Sequence, residues 1–546
     1  MRNYFYGIGA RHLRFAALPA ALLGFALLTA GSRTDSTSKS NPPLPVFSAT
    51  IPTDIANPAD PAQAAQFAWQ EFIAVTWPAM TNSDPTSSGY FRGQASTTAV
   101  SGGTGANGVT VWETFYHRDE LYPGYSAGSG NTLPDANATP SYLYAATITP
   151  ATPQTSLTLF NNADEASEIN IANMYHTPFA AAADALAAAT PNPTPAQAQA
   201  ILAAQTKAAI VYEAKGNPVY FNYLNSTGFN NGIPRRQARA QAVNKIMNRP
   251  TTAPVFELPT GSIEIKATWR RYDATLDDIS KFHSATLIYY TTSTGGALIA
   301  NNDTFLLISL HIIQKTPNVP TFTFATFEHV DNEKTGFRFT NAKPQTYTPA
   351  GFNRALPDPG VIQAQRQFQI PGAESAFDLV SYNTAVQAQL RQMFGADLVW
   401  ANYQLIGVQA GVQNDPGGTV PPQQFFLSNF ATETNDTLQF FQGALGGTDS
   451  NVPVPHFPRV FKYDGTKYVG YTAGGCLGCH GNAGQFVGSD FSVIAGVTGN
   501  NFTPEPILPY PTGQTIMPQN STGFPLPHQS AGPARPSVKT KAKGGR

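Results

Sequence analysis

Cysteine is almost absent: the 546 residues hold two, Cys476 and Cys479. A framework of several disulfides is therefore excluded, as is a zinc site assembled from two Cys pairs. Charge is scarce too. Asp, Glu, Lys and Arg make up 12% of the chain, about half of the roughly 25% usual in soluble domains. With 33 basic and 34 acidic residues the formal charge is -1, so the basic excess that nucleic-acid binding calls for is missing. Beyond the N-terminus there is no apolar run long enough to span a bilayer as a helix. Neither a His-Glu-x-x-His helix nor a phosphate-cradling Gly-x-x-x-x-Gly-Lys-Ser/Thr loop occurs.

What remains is the composition of a loop-rich globular chain. Apolar residues reach 42%, and there are 46 Gly and 45 Pro. Length alone suggests about two to four domains. At the N-terminus, Arg2, Arg11 and Arg14 form a positive stretch, followed by the apolar run Phe15 to Ala30, which Pro19 and Gly24 interrupt. Leu28-Thr29-Ala30 offers a small residue for cleavage. Residues 1–30 are thus expected to be a signal peptide, which places the mature chain in the periplasm or outside the cell. The competing reading is a retained anchor, for which the run is short against the roughly 20 residues of a span. No Cys follows the run, which argues against a lipoprotein.

The two cysteines stand in Gly474-Gly475-Cys476-Leu477-Gly478-Cys479-His480, the Cys-x-x-Cys-His pattern of c-type haem attachment. Each thiol can add across one haem vinyl group, and the spacing lets both reach the ring from one turn of chain. The adjacent imidazole then falls beneath the iron. Gly474, Gly475 and Gly478 allow close approach to the flat macrocycle. The expected cofactor is one covalently bound haem c on Cys476 and Cys479, with His480 as iron ligand. Three other readings compete. A disulfide across so short a loop would stabilise little. A redox dithiol usually opens a helix after a strand, whereas this pair stands in a Gly-rich stretch. A zinc site lacks its second ligand pair.

The motif resembles that of c-type cytochromes. A wider resemblance, to large bacterial cytochrome c proteins with one such motif, rests on four blocks. These are Phe67-Ala68-Trp69-Gln70-Glu71-Phe72, His311 to Pro317, Ala325 to Asn332 and Cys476 to Gly481. It implies a covalent haem and a long non-haem region, and names no substrate. By the same analogy Met517, in Ile516-Met517-Pro518, is the leading second iron ligand. His456, His528, His311 and His329 are the rivals, and an open sixth position is the remaining alternative.

Pattern reading assigns a helix to residues 61–77, between Pro61 and Pro78, and helices to 178–213, 234–248 and 374–394. Strand-like runs cover 262–271, 285–292, 304–314 and 321–329 and suggest a central antiparallel sheet. Residues 81–110 read as a loop. The expected fold is α+β: a linker at 31–60, a large mixed region at 61–424, a small haem-bearing segment at 425–528 and a disordered tail at 529–546. Function follows as electron transfer by a monohaem protein with redox partner proteins. The membrane is involved only if the signal is retained. The alternative is a haem-dependent oxidoreductase with a substrate pocket in the large region.

Overall fold

Helices begin where the sequence supplies caps. The Asp60 carboxylate accepts from the Ala62 amide at 2.9 Å, and Pro61 fills the first helical position, where an N–H would be orphaned anyway. Asn217 and Asp378 cap two further helices in the same way, through Tyr220 and Ser381. The computed structural model describes residues 42–82, 90–97, 108–122, 162–165, 174–175, 210–230, 232–274, 277–292, 298–332, 337–340, 352–353, 361–364, 370–373, 377–411, 457–473 and 475–492, with a few shorter stretches. Its helices include α1 (Pro61–Val75), the single turn α2 (Arg118–Leu121), α3 (Pro218–Thr227), α4 (Gly232–Ile246), α5 (Leu379–Phe394) and α6 (Gly475–Val487).

The centre is a seven-stranded antiparallel sheet, as the strand-like runs predict. Its strands are β1 (Tyr116–His117), β2 (Ile210–Gly216), β3 (Ile263–Arg271), β4 (Ser284–Thr292), β5 (Leu298–Gln314), β6 (Thr323–His329) and β7 (Tyr403–Ala410). They lie in the order β7-β6-β5-β3-β2-β1, with β4 also paired to β5. Strand β5 meets β3 along one edge, while β4 and β6 divide the other end to end. Residues 162–165 bridge β4 at Ile288 and β2 at Tyr212, joining β2, β3, β5 and β4 into a ring. A separate hairpin, β8 (Phe457–Tyr463) and β9 (Tyr468–Ala473), leads into α6.

Two expectations change. The helices expected over 178–213 do not reach its end, because Ile210–Gly216 is strand β2, every residue of it buried in the sheet. Tyr90–Ala95, inside the stretch expected to be a loop, is a strand paired with Ala79–Thr81. In both cases tertiary pairing overrides local composition.

Cross-strand partners share a face, which gives the sheet two unlike sides. One carries Ile265, Ala267, Leu310, Ile312, Phe327 and Leu405 and forms the larger apolar core with α1 and α5. Phe72 of α1 stacks on Phe327 at 4.1 Å, and the Trp69 indole donates to Asn383 of α5 at 3.0 Å. The opposite side is mixed. The row Ala214, Lys266, His311, Thr326 crosses it, flanked by Glu264, Ile313, Phe324 and Gln409. A second apolar cluster covers part of this side and includes Tyr220, Phe221, Phe324, Val460, Leu477 and Phe491. Among the described residues, no helix is long and apolar enough to cross a membrane.

Candidate functional site

Helix α6 holds Cys476, Cys479 and His480 at positions i, i+3 and i+4. The helix runs through several glycines of low intrinsic propensity, so packing must hold it. Gly481 and Gly484 show how. A Cβ at Gly481 would come within 2.9 Å of Val460 and Phe491, and one at Gly484 within 2.3 Å of the Asp490 carbonyl. The Gln409 side chain of β7 accepts from the Leu477 amide in the first turn at 2.8 Å. Gln485 clamps both the amide and the carbonyl of Phe461 at 2.8 Å.

After α6 the chain reverses sharply. Gly488 (φ 73°) and Asp490 (φ 60°) take left-handed backbone conformations. Asp490 is held by Lys315 at 2.7 Å, and Ser492 lies 3.0 Å from the Tyr220 hydroxyl, itself 2.9 Å from that of Tyr122. The reversal brings the Phe491 carbonyl to 3.0 Å from Nδ1 of His480. A carbonyl only accepts, so Nδ1 carries the proton and Nε2 keeps its lone pair. A metal-binding imidazole takes this form when its other nitrogen donates to the backbone.

His480 is half-buried, with its ring edge-on to Phe324 at 4.8 Å. Burial lowers its pKa to about 4, against the pull of the Phe491 carbonyl and with help from Lys266. His311 is buried on the sheet beside it and hydrogen-bonded to Thr326 at 3.0 Å. Burial first, then Lys266 and His480, lowers it to about 3. Both imidazoles are neutral at pH 7 and able to act as ligands.

The structure thus brings His480 and His311 together. His329 goes elsewhere: three residues beyond Thr326, it belongs to the opposite side of the sheet. It stacks on Phe282 at 3.8 Å. Its Nε2 lies 3.1 Å from the Lys281 carbonyl, and its Nδ1 accepts from the Asp331 amide at 3.2 Å. Both ring nitrogens are thus engaged, and of these two rival ligands only His311 is on the His480 side of the sheet. Cys476 is half-buried. Met517, His456 and His528 lie outside the described residues.

One premise about the pair is also corrected. It does open a helix directly after a strand, because β9 ends at Ala473 and α6 begins at Gly475. Gln409, Phe491 and Lys266 escaped the sequence reading, since their roles rest on contacts between distant segments. Comparison with protein-family models, with curated proteins and with solved structures found no match.

Proposed function

We propose that this chain is an exported c-type cytochrome in which Cys476 and Cys479 hold one haem and His480 ligates its iron. The observation that carries the reading is the His480 imidazole. The backbone of Phe491 fixes its tautomer, leaving the lone pair on Nε2, in the same helix as the Cys pair. When bound, the haem supplies one-electron transfer. The chain's own part is to orient the imidazole, keep it neutral and hold α6 against the sheet through Gln409, Gln485 and Lys315. Met517 stays in the proposal as the second ligand, with His311 its rival on the described face. The periplasm and a protein redox partner belong to the same proposal, as does the alternative of a haem-dependent oxidoreductase.

A second reading has one observation in its favour. A Cys in the first turn of a helix after a strand has its thiolate stabilised by the helix dipole, as in redox dithiols. Export of the full chain in a host that matures cytochromes separates the two. The haem reading expects colour retained on a denaturing gel, a mass raised by one porphyrin, and loss of both in Cys476→Ser/Cys479→Ser. A colourless chain whose thiols cycle with a dithiol reductant would establish the second reading instead. Optical and EPR spectra of a coloured product would then identify the sixth ligand.

A further inference from the structure

The large core contains a cluster of charge far from composition-based expectation. Paired strands put Glu213 and Lys215 of β2 on the same side of the sheet as Trp269 of β3. The Lys215 ammonium lies 2.9 Å from Oε1 of Glu213, donates to the backbone carbonyl of Glu113 at 2.7 Å, and stands 5.6 Å from the centre of the Trp112 ring. The Glu113 carboxylate accepts from the amide and hydroxyl of Thr110 and lies 3.1 Å from Nε2 of His283. The His283 ring is 5.9 Å from Trp269 and 4.8 Å from Trp400, and the Trp112 and Trp269 rings are 6.0 Å apart. Glu113, Glu213, Lys215, His283, Trp112 and Trp269 are all at most 2% exposed.

This cluster has unspent hydrogen-bonding capacity. The indole N–H groups of Trp112 and Trp269, Oε2 of Glu213 and Nδ1 of His283 are buried without a hydrogen-bond partner, whereas Oε1 of Glu213 and Nε2 of His283 face Lys215 and Glu113. Buried polar groups normally have partners, and here several unmatched ones belong to one cluster. The two carboxyls also differ. At Glu113, His283, Thr110 and Lys215 outweigh burial and lower the pKa, whereas at Glu213 burial prevails over Lys215 and raises it. One acid kept ionised beside another pushed towards its neutral form is an arrangement found in binding and catalytic sites.

We propose that Glu113, Glu213, Lys215, His283, Trp112 and Trp269 form a second ligand site, which takes a small neutral molecule carrying two neighbouring hydroxyl groups. The charge is already matched within the cluster: an anion would face two glutamates and a cation would face Lys215. The indole N–H groups call for acceptor oxygens, and the Glu213 carboxyl calls for a hydroxyl to pair with. A diol provides both. The site is independent of haem attachment.

The test is calorimetric titration of the full chain with ethylene glycol, glycerol and glycolate, alongside thermal melting. A diol should bind saturably, and glycolate at least about tenfold more weakly. Trp269→Phe, which keeps an aromatic ring but removes the indole N–H, and Glu213→Gln should each weaken the diol by about tenfold, as loss of one hydrogen bond would. Their melting curves show that both variants remain folded. The site is overturned if no probe gives a saturable signal, the result expected of a cluster that holds only water. It is likewise overturned if glycolate binds as well as the diols, or if both folded variants bind like the parent.

Discussion

Single residues show how little their type alone conveys. Glu71 belongs to a block that the sequence marks out, yet it lies fully buried in α1 and neither carboxyl oxygen meets a hydrogen-bond partner. Burial raises its pKa well above the usual 4.5. The folded state therefore keeps a proton that the unfolded chain gives up, and stability falls as pH rises above the unfolded value towards the folded one. Glu71→Met, of similar volume, should stabilise the protein at neutral pH by about 1–3 kcal/mol. In urea titrations the gap between variant and parent should be small near pH 4 and widen towards pH 8. A gap that narrows as pH rises would show that Glu71 is matched by charge in the fold. The histidines teach the same lesson. His311 and His329 are alike in sequence context, but strand parity sends them to opposite sides of one sheet.

Among the elements, α6 depends most on what surrounds it. Its glycines read as poor helix formers, so the sequence alone shows only a Gly-rich stretch. In the fold they let α6 approach its neighbours: Gly484 touches the Asp490 carbonyl and Gly488 that of Arg239. Gly484→Ala should thus destabilise by about 1–3 kcal/mol, the usual cost of overpacking. Because it displaces Asp490, it should also shift the Phe491 carbonyl from His480, which imidazole NMR would report as a change in the Nδ1 proton. An unchanged urea midpoint would mean that the turn yields freely. The first helix was easier to foresee, since Asp60, Pro61 and Pro78 mark its ends locally.

At the scale of the molecule, the segment with the Cys pair shares its core with the rest of the chain. Leu477 and Phe491 cluster with Tyr220, Leu258 and Phe324. The part-buried Lys315–Asp490 pair ties the turn after α6 to the end of β5. Hydrogen exchange should give the amides of α6 and of β5 similar opening free energies, as expected of one cooperative unit. Much faster exchange in α6 would mark a separately melting segment. Lys315→Met should cost about 2–3 kcal/mol by leaving the part-buried Asp490 carboxylate with only the Leu258 amide, measured by urea unfolding. A smaller loss, below about 1 kcal/mol, would be that of a solvated surface pair.

The sequence by itself determined the elements whose signals are local: the capped helix α1, the β-rich runs of the central sheet, and the Cys-x-x-Cys-His motif. Such features depend on residues a few positions apart, so a linear reading can find them. Tertiary structure alone decided which carbonyl meets His480, which histidine shares its side of the sheet, and that Glu113, Glu213, Lys215 and His283 meet in the core. Those outcomes depend on strand order and register, which bring together residues separated by long stretches of chain. In a sheet, a shift of one residue reverses every side chain, and composition carries no record of that choice.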